Sequence, residues 1–424
     1  MVVTLQIISI VLAAINLVLL CRMKRIHTII PIIIVFDFVM VVPILLELIL
    51  GIPDIPYPTI ALAMNDQKTS IIFCIFLIFA QLSFGYEITR LLSTQNVSST
   101  NLNSNKSVYF NSLRYKNFLL VFSYIVPIVV IILILGSPDI TYFLDIFSDP
   151  TRIYNQQIQT YIKYMGILNY ALLLSVMVNK WYDNNGTLYG RIIRILYILL
   201  MIIIIHKRTF MMIAIGACLV IDIIKGKKIR GIFPWYLIYI LFAAFYFVYY
   251  AYATGKAGYN DDWYYEANEY FFRSMHMRFA IFAALNPNEV HILDYPGQSI
   301  LFDLFYFIPR SLWASKPWPY IYYFISGVMG YSSYEYVSWQ MPPSYYPEFV
   351  SNFGVLGIFI SVIITVWISR FLDNRGIIVK LLGTSFVCLL EIYYYDNALK
   401  VLVIIIIFFY FLELKKGNTS LHYE

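Results

Sequence analysis

Apolar runs close to the roughly 20 residues that cross a lipid bilayer recur along almost the whole of this chain, and one long stretch breaks the pattern. From Thr254 to Asn352 the sequence is instead crowded with Tyr, Trp, Pro, Arg and carboxylates. The hydrocarbon interior offers no partner to backbone N–H and C=O groups, so spanning runs of this length must be helices that satisfy themselves. With 60% hydrophobic and 13% charged residues and a mean hydropathy of +0.72, a soluble globular fold is excluded. The predicted fold is all-α, a polytopic integral membrane protein with one large extracytoplasmic loop. A chain that only spans a bilayer has no need of such an insert, so function is expected there.

About eleven spans fit best, near 2–20, 26–50, 69–89, 118–136, 161–179, 191–206, 209–224, 232–253, 353–370, 381–396 and 398–413. They divide the chain into helices 1–8 over 1–253, the loop over 254–352, and helices 9–11 with a short tail over 353–424. The connecting segments then alternate in charge. Arg22/Lys24/Arg25, Arg90 to Lys116, Lys180/Arg191/Arg194, Lys225 to Arg230, Arg370/Arg375/Lys380 and Lys415/Lys416 fall on one side. The segments 51–68 and 137–160, which carry mostly Asp, fall on the other. The positive-inside rule makes the basic side cytoplasmic, with the N-terminus outside and the C-terminus inside. An uncharged apolar start followed by basic residues reads as a retained first span, since a cleavable signal carries its positive charge first.

The stretch 191–224 would measure about 50 Å as one helix at about 1.5 Å per residue, against a core of about 30 Å. It is therefore read as a hairpin turning at His206-Lys207-Arg208. The Ser/Asn-rich stretch 93–107 is read as a flexible cytoplasmic loop. The net charge of +6 sits in short clusters between spans, so no nucleic-acid partner is expected. Cys21, Cys74, Cys218 and Cys388 fall in or beside apolar segments without paired spacing, which indicates neither a disulfide framework nor a thiolate metal site.

Four groups of residues are candidates for chemistry. Lys207 and Arg208 break the positive-inside pattern at the outer end of two spans. They either snorkel to headgroups or hold a phosphate, which guanidinium grips through two parallel hydrogen bonds. Glu266, Glu269, Arg273 and His276 recur at helical spacing within 264–285, so they are expected on one face, with Arg278 facing elsewhere. An ordinary Glu269–Arg273 surface pair is the alternative. Pro309-Arg310-Ser311-Leu312-Trp313-Ala314-Ser315-Lys316-Pro317 sets two cations on proline-stiffened chain after 298–308, an apolar piece too short to span that reads as a re-entrant or interfacial segment. It suits either a headgroup-anchoring loop or an anionic leaving group. Last, Ser344-Tyr345-Tyr346-Pro347-Glu348 opens the ninth span, with Gly354 and Gly357 following as signs of close helix packing. Proline in a first helical turn puts Glu348 beside the positive end of the dipole, where it caps the helix or accepts a proton from a hydroxyl. The in-membrane carboxylates Asp37, Glu47 and Glu391 are isolated in sequence. They read as hydrogen-bonded polar residues inside the bundle, with a transport pathway as the alternative.

Three of these elements, in this order, resemble the bacterial oligosaccharide repeat-unit polymerases of the Wzy type, which build O-antigen and capsule. They are Lys207-Arg208-Thr209 opening a span, the Pro-Arg…Trp…Lys-Pro run over 309–317, and Pro-Glu followed by Asn-Phe-Gly-Val-Leu-Gly over 347–357. The resemblance covers about 200 to 360 and the overall span count. It implies a metal-independent glycosyltransferase of the bacterial inner (plasma) membrane with no cofactor. Its substrates would be undecaprenyl-pyrophosphate-linked oligosaccharides, and a flippase and a chain-length regulator would be its partners. The growing chain would pass from its carrier to the non-reducing-end sugar of a new unit. Arg208 and Arg310, helped by Lys207, Lys316, Arg273 and Arg278, would hold the departing pyrophosphate. Glu348, or failing that His276, would take the hydroxyl proton, and Trp313, Trp318, Tyr345 and Tyr346 would stack on sugars. An O-antigen ligase, which shares this chemistry, or another polyprenyl-dependent glycosyltransferase is the enzyme alternative. A transporter or flippase is the non-enzyme alternative, and would call for inverted repeats that the sequence does not display.

Overall fold

A computed structural model describes residues 1–23, 27–97, 109–113, 116–138, 140, 156–183, 188–205, 213–218, 221–222, 263–270, 272–331, 341, 343–375, 377–393, 395–410 and 412–415. The chain divides into two compact units, one formed by Met1–Asn103 with Asp262–Leu402 and the other by Ser104–Asp261 with Val403–Glu424.

The first unit opens with α1, Val2–Cys21, an inside-out helix. Its buried positions are Gln6, Ser9, Ala13 and Asn16, spaced three or four apart, while Val3, Ile7, Val11, Ile15 and Val18 are exposed. Apolar side chains outward and small or polar ones inward is the arrangement that lipid surroundings select. The next apolar run is α2, Ile29–Phe36, a π-helical turn over Asp37–Val41, and α3, Val42–Leu50. After α4, Pro58–Asn65, comes α5, Gln67–Val97, against which α1 lies. Asn16 Nδ2 donates to the Gln81 carbonyl and to Gln81 Oε1, both at 2.8 Å, and Gln81 Nε2 donates to Asp37 Oδ1 at 2.6 Å.

The unit resumes with α9, Trp263–Tyr270, and α10, Ser274–Leu285, then α11, Gln298–Leu304, and α12, Tyr320–Met329. α13, Tyr345–Phe353, joins α14, Gly357–Asp373, through a 3-10 turn, and α15, Ile377–Ile392, follows. In the second unit α6, Lys116–Leu135, α7, Gln156–Tyr182, and α8, Leu188–Ile205, pack in sequence. Lys180 pairs with Asp222 at 2.7 Å and Arg194 with Asp183 at 2.8 Å. A short ribbon pairs β1, Tyr109–Leu113, with β2, Leu412–Lys415; α16, Tyr395–Tyr410, precedes β2.

Among the described residues five helices are long and apolar enough to cross a membrane: Val2–Cys21, Ile29–Leu50, Gln67–Thr94, Asn117–Leu135 and Tyr345–Asp373. The turn at 206–208 and the span at 232–253 lie outside the described residues, as does most of the Ser/Asn-rich loop.

Within the first unit, three of the segments grouped by charge meet at one end. His27 and Thr28 both contact Asp373, which also pairs with Lys380 at 2.7 Å. Glu87 accepts from Arg90 and from Arg370. The two glycines after α13 do different work from the interhelix packing expected of them. Gly354 adopts φ +61°, a left-handed conformation that side chains disfavour. A Cβ on Gly357 would lie 2.2 Å from the carbonyl oxygen of Phe349, so the close approach is made by the chain folding back on its own preceding turn.

Candidate functional site

The helix expected over 264–285 is broken. Arg273 sits between α9 and α10 with φ −126° and ψ 0°, and its N–H donates to the Val39 carbonyl at 2.8 Å. Val39 lies in the π-helical turn, where the widened backbone ladder frees a carbonyl for an outside donor. The even stripe of Glu269, Arg273 and His276 on one helical face is thereby corrected, because helical spacing does not run through Arg273. The Glu266 side chain lies outside the described residues. Arg273 is fully buried, with Nε donating to the Ile392 carbonyl at 2.8 Å and Nη1 to the Phe272 carbonyl at 2.6 Å. Burial pulls its guanidinium down to about 10.

Arg278 is also fully buried and grips Glu47 in a two-point pair, Nη2 to Oε2 at 2.7 Å and Nη1 to Oε1 at 3.1 Å. Gln6 Nε2 adds a third hydrogen bond to Glu47, and Phe73 lies beneath the guanidinium at 5.0 Å. Glu47 is therefore not the isolated carboxylate that the sequence presents. Its partner stands on another helix far along the chain. His276 is enclosed and stacks on Phe324 at 5.7 Å. Burial, and then the Arg273 charge, push its imidazole well below the usual histidine range, so it is neutral.

The cation loop folds onto itself. Arg310 donates to the carbonyls of Lys316 at 2.6 Å and Pro317 at 2.7 Å, and its guanidinium covers the Trp318 ring at 3.8 Å. Those bonds use two of the five N–H donors an arginine carries. Lys316 is buried, with Nζ donating to the carbonyls of Tyr306 and Ile308 and lying 4.7 Å from the Phe302 ring. Trp313 Nε1 donates to Ser315 Oγ at 3.0 Å. Leu304, Phe307 and Leu312 stand exposed beside these anchors.

α11 joins this loop to Glu348. Its Gln298 Nε2 donates to Asp294 and to the Tyr323 hydroxyl, which itself accepts from the Trp318 N–H. The next residue, Ser299, accepts at Oγ from Asn352 Nδ2 at 2.7 Å. Asn352 also donates to the Glu348 carbonyl, four residues back on α13. The Glu348 carboxyl is hydrogen-bonded by Ser299 and by Asp303. Glu348 is 3% exposed, yet among the described residues its Oε1 has no partner, and neither do Asn352 Oδ1 and Ser344 Oγ nearby in sequence. Buried polar atoms are almost always paired in native proteins, so three open acceptors on one short segment mark a place built to receive donors.

Tyr345 is buried, hydrogen-bonded to Thr365 and stacked on Tyr346 at 4.1 Å. Tyr346 donates to Glu391 Oε1 at 3.0 Å. The structure thus brings Arg310, Trp313, Lys316 and Glu348 onto elements joined through α11, and puts Arg273, His276 and Arg278 around α10, which packs against α13. Lys207 and Arg208 lie outside the described residues.

Sequence reasoning missed Asp303 and Ser299. Their four-residue spacing puts both on one face of a helix, and a lone carboxylate inside the apolar piece 298–308 was the available signal. Compared with models of known protein families, with curated proteins and with solved structures, the chain matches none.

Proposed function

We propose that this chain is a membrane glycosyltransferase that polymerises lipid-linked oligosaccharides. It would carry about eleven spans, with its large loop on the outer face of a bacterial plasma membrane and its basic end in the cytoplasm. The observation that carries the reading is the Oε1 of buried Glu348, open among the described residues, on a helix that Asn352 ties to α11, the element leading into the loop that bears Arg310. In this mechanism the acceptor sugar hydroxyl gives its proton to that oxygen while its own oxygen bonds the donor's anomeric carbon. The anomeric C–O bond to the diphosphate breaks, and the electron pair leaves with the diphosphate. The remaining donors of Arg310 meet the departing charge, which suits a reaction whose catalysis is mostly positioning and electrostatics. Leu304, Phe307 and Leu312 give the loop the apolar rim needed to lie against a polyprenyl carrier at the membrane interface.

Deleting the protein from its source cell tests this. The expected surface glycan is a single repeat unit; accumulation of long carrier-linked chains would instead identify a ligase. A second reading, ion-coupled transport, is favoured by Asp37 Oδ2 and Glu391 Oε2, which are buried on apolar helices without partners among the described residues. Cells that retain long surface chains, together with proteoliposomes that move a glycan lipid, would select it.

A further inference from the structure

Two carboxyl groups meet at the short helix α11, which the apolar pattern alone marks as nothing more than an interfacial piece. Ser299 Oγ and Asn352 Nδ2 meet at 2.7 Å. With Asp303 one turn after Ser299 on α11 and Glu348 one turn before Asn352 on α13, the facing turns bring both Ser299 and Asp303 to the Glu348 carboxyl. An ionised carboxylate accepts hydrogen bonds and cannot donate them. Two carboxyl groups in such contact must therefore hold a proton between them, since like charges at this range do not both ionise. The surroundings fix the direction of the pair. Ser299 Oγ already accepts from Asn352, so its own O–H is left to donate to Glu348. Glu348 is buried with Oε1 open, whereas Asp303 is partly exposed at the end of α11, next to exposed Leu304.

Resting on the assignment of Glu348 as proton acceptor, we propose that Asp303 is a positioning and proton-relay residue that acts through Glu348. Asp303 holds the shared proton and donates it to one Glu348 oxygen, leaving the other as the basic oxygen aimed at the acceptor hydroxyl. When that oxygen takes the hydroxyl proton, the pair carries two protons, and Asp303, the member nearer to solvent, releases one to water. One proton enters and one leaves per glycosidic bond, and the pair returns to its starting state. Ser299 and Asn352 keep Glu348 from turning away.

The test compares wild type, Asp303→Asn, Asp303→Glu and Glu348→Gln, purified in detergent. Infrared difference spectra report the carbonyl stretch of a protonated carboxyl, which a merely structural role for Asp303 would not create. The wild-type protein is expected to show a band that is absent from both D303N and E348Q and present in D303E. Using a polyprenyl-diphosphate oligosaccharide as substrate, D303N is expected to lower kcat by about 100-fold with KM little changed, and D303E to recover at least a tenth of the wild-type rate. The same spectrum in wild type and D303N overturns the shared proton, as does a D303N kcat equal to wild type. If the band behaves as expected but wild-type protein never extends the substrate, the pair stands and the polymerase assignment falls. Should D303N fail to insert, D303E and E348Q carry the spectral comparison.

Discussion

Arg278 and Glu348 are both charged side chains hidden inside the same unit, on helices that pack together, yet their surroundings differ in kind. Arg278 has a two-point carboxylate partner, a third polar residue behind that partner and an aromatic face beneath it. Glu348 has one oxygen held by Ser299 and Asp303 and the other left open. The Arg278–Glu47 pair matches both terminal guanidinium nitrogens to a carboxylate and leaves only the inner Nε without a partner among the described residues, so its charge is already met and it holds helices in register. The unmatched Glu348 oxygen costs stability, because a buried polar atom without a partner loses its hydration with no return. The first region therefore reads as framework and the second as site. By this criterion Arg273 and Arg278, cations that the sequence offers as pyrophosphate ligands, belong to the framework.

The largest expected effect falls on the framework. Arg278→Ala leaves the largely enclosed Glu47 without its cation and should lower stability by about 3–5 kcal/mol, read from thermal unfolding in detergent. Removing both charges together, as Arg278→Met with Glu47→Leu, should recover most of that loss. A loss under about 1 kcal/mol in R278A would break the comparison, since the pair would then be no more than a surface contact.

The next effect depends on pH. His276 is held neutral, with its folded pKa below the ordinary value of 6.5. As pH falls below about 6.5 the unfolded chain binds a proton that the folded protein refuses, so stability is full above that value and declines beneath it. The decline is up to about 1.4 kcal/mol per pH unit until the folded value is reached. His276→Leu should flatten this part of the stability–pH curve. An unchanged curve in H276L would show that the imidazole is solvated.

On the site side the stability effects should be smallest. Asn352→Ala removes two hydrogen bonds but also removes one open acceptor, so the net loss should stay near 1 kcal/mol while polymer formation falls at least tenfold. A variant that loses stability and keeps its activity would move Asn352 into the framework and blur the contrast.

Much of the fold was legible in the sequence because its cause is local. Apolar runs such as 2–20 and 118–136 become helices wherever hydrogen-bonding water is absent. The charge rule also grouped Arg90, Arg370 and Lys380 before Glu87 and Asp373 were seen to tie their segments together. What could not be read depends on partners distant in sequence. The Glu47–Arg278 pair joins residues 231 positions apart. The break at Arg273 is stabilised by a carbonyl in a π-helical turn, and the hydrophobic pattern of 29–50 gives no sign of that turn. Asp303 looks like a blemish in the apolar piece 298–308 until α13 places Glu348 against it. The prolines around Arg310 are plain in the sequence, but the carbonyls of Lys316 and Pro317 that hold it belong to the loop's own curvature.

The account rests on Glu348 taking a proton from a sugar hydroxyl, and the most direct measurement is chain extension by the purified protein in proteoliposomes. Wild type and Glu348→Gln would be given polyprenyl-diphosphate-linked oligosaccharide, with products resolved by length. The expected result is a ladder of repeats from wild type and a rate lowered by about 100-fold or more in E348Q, with both proteins equally inserted and equally stable. A ladder of the same length and rate from E348Q would contradict it.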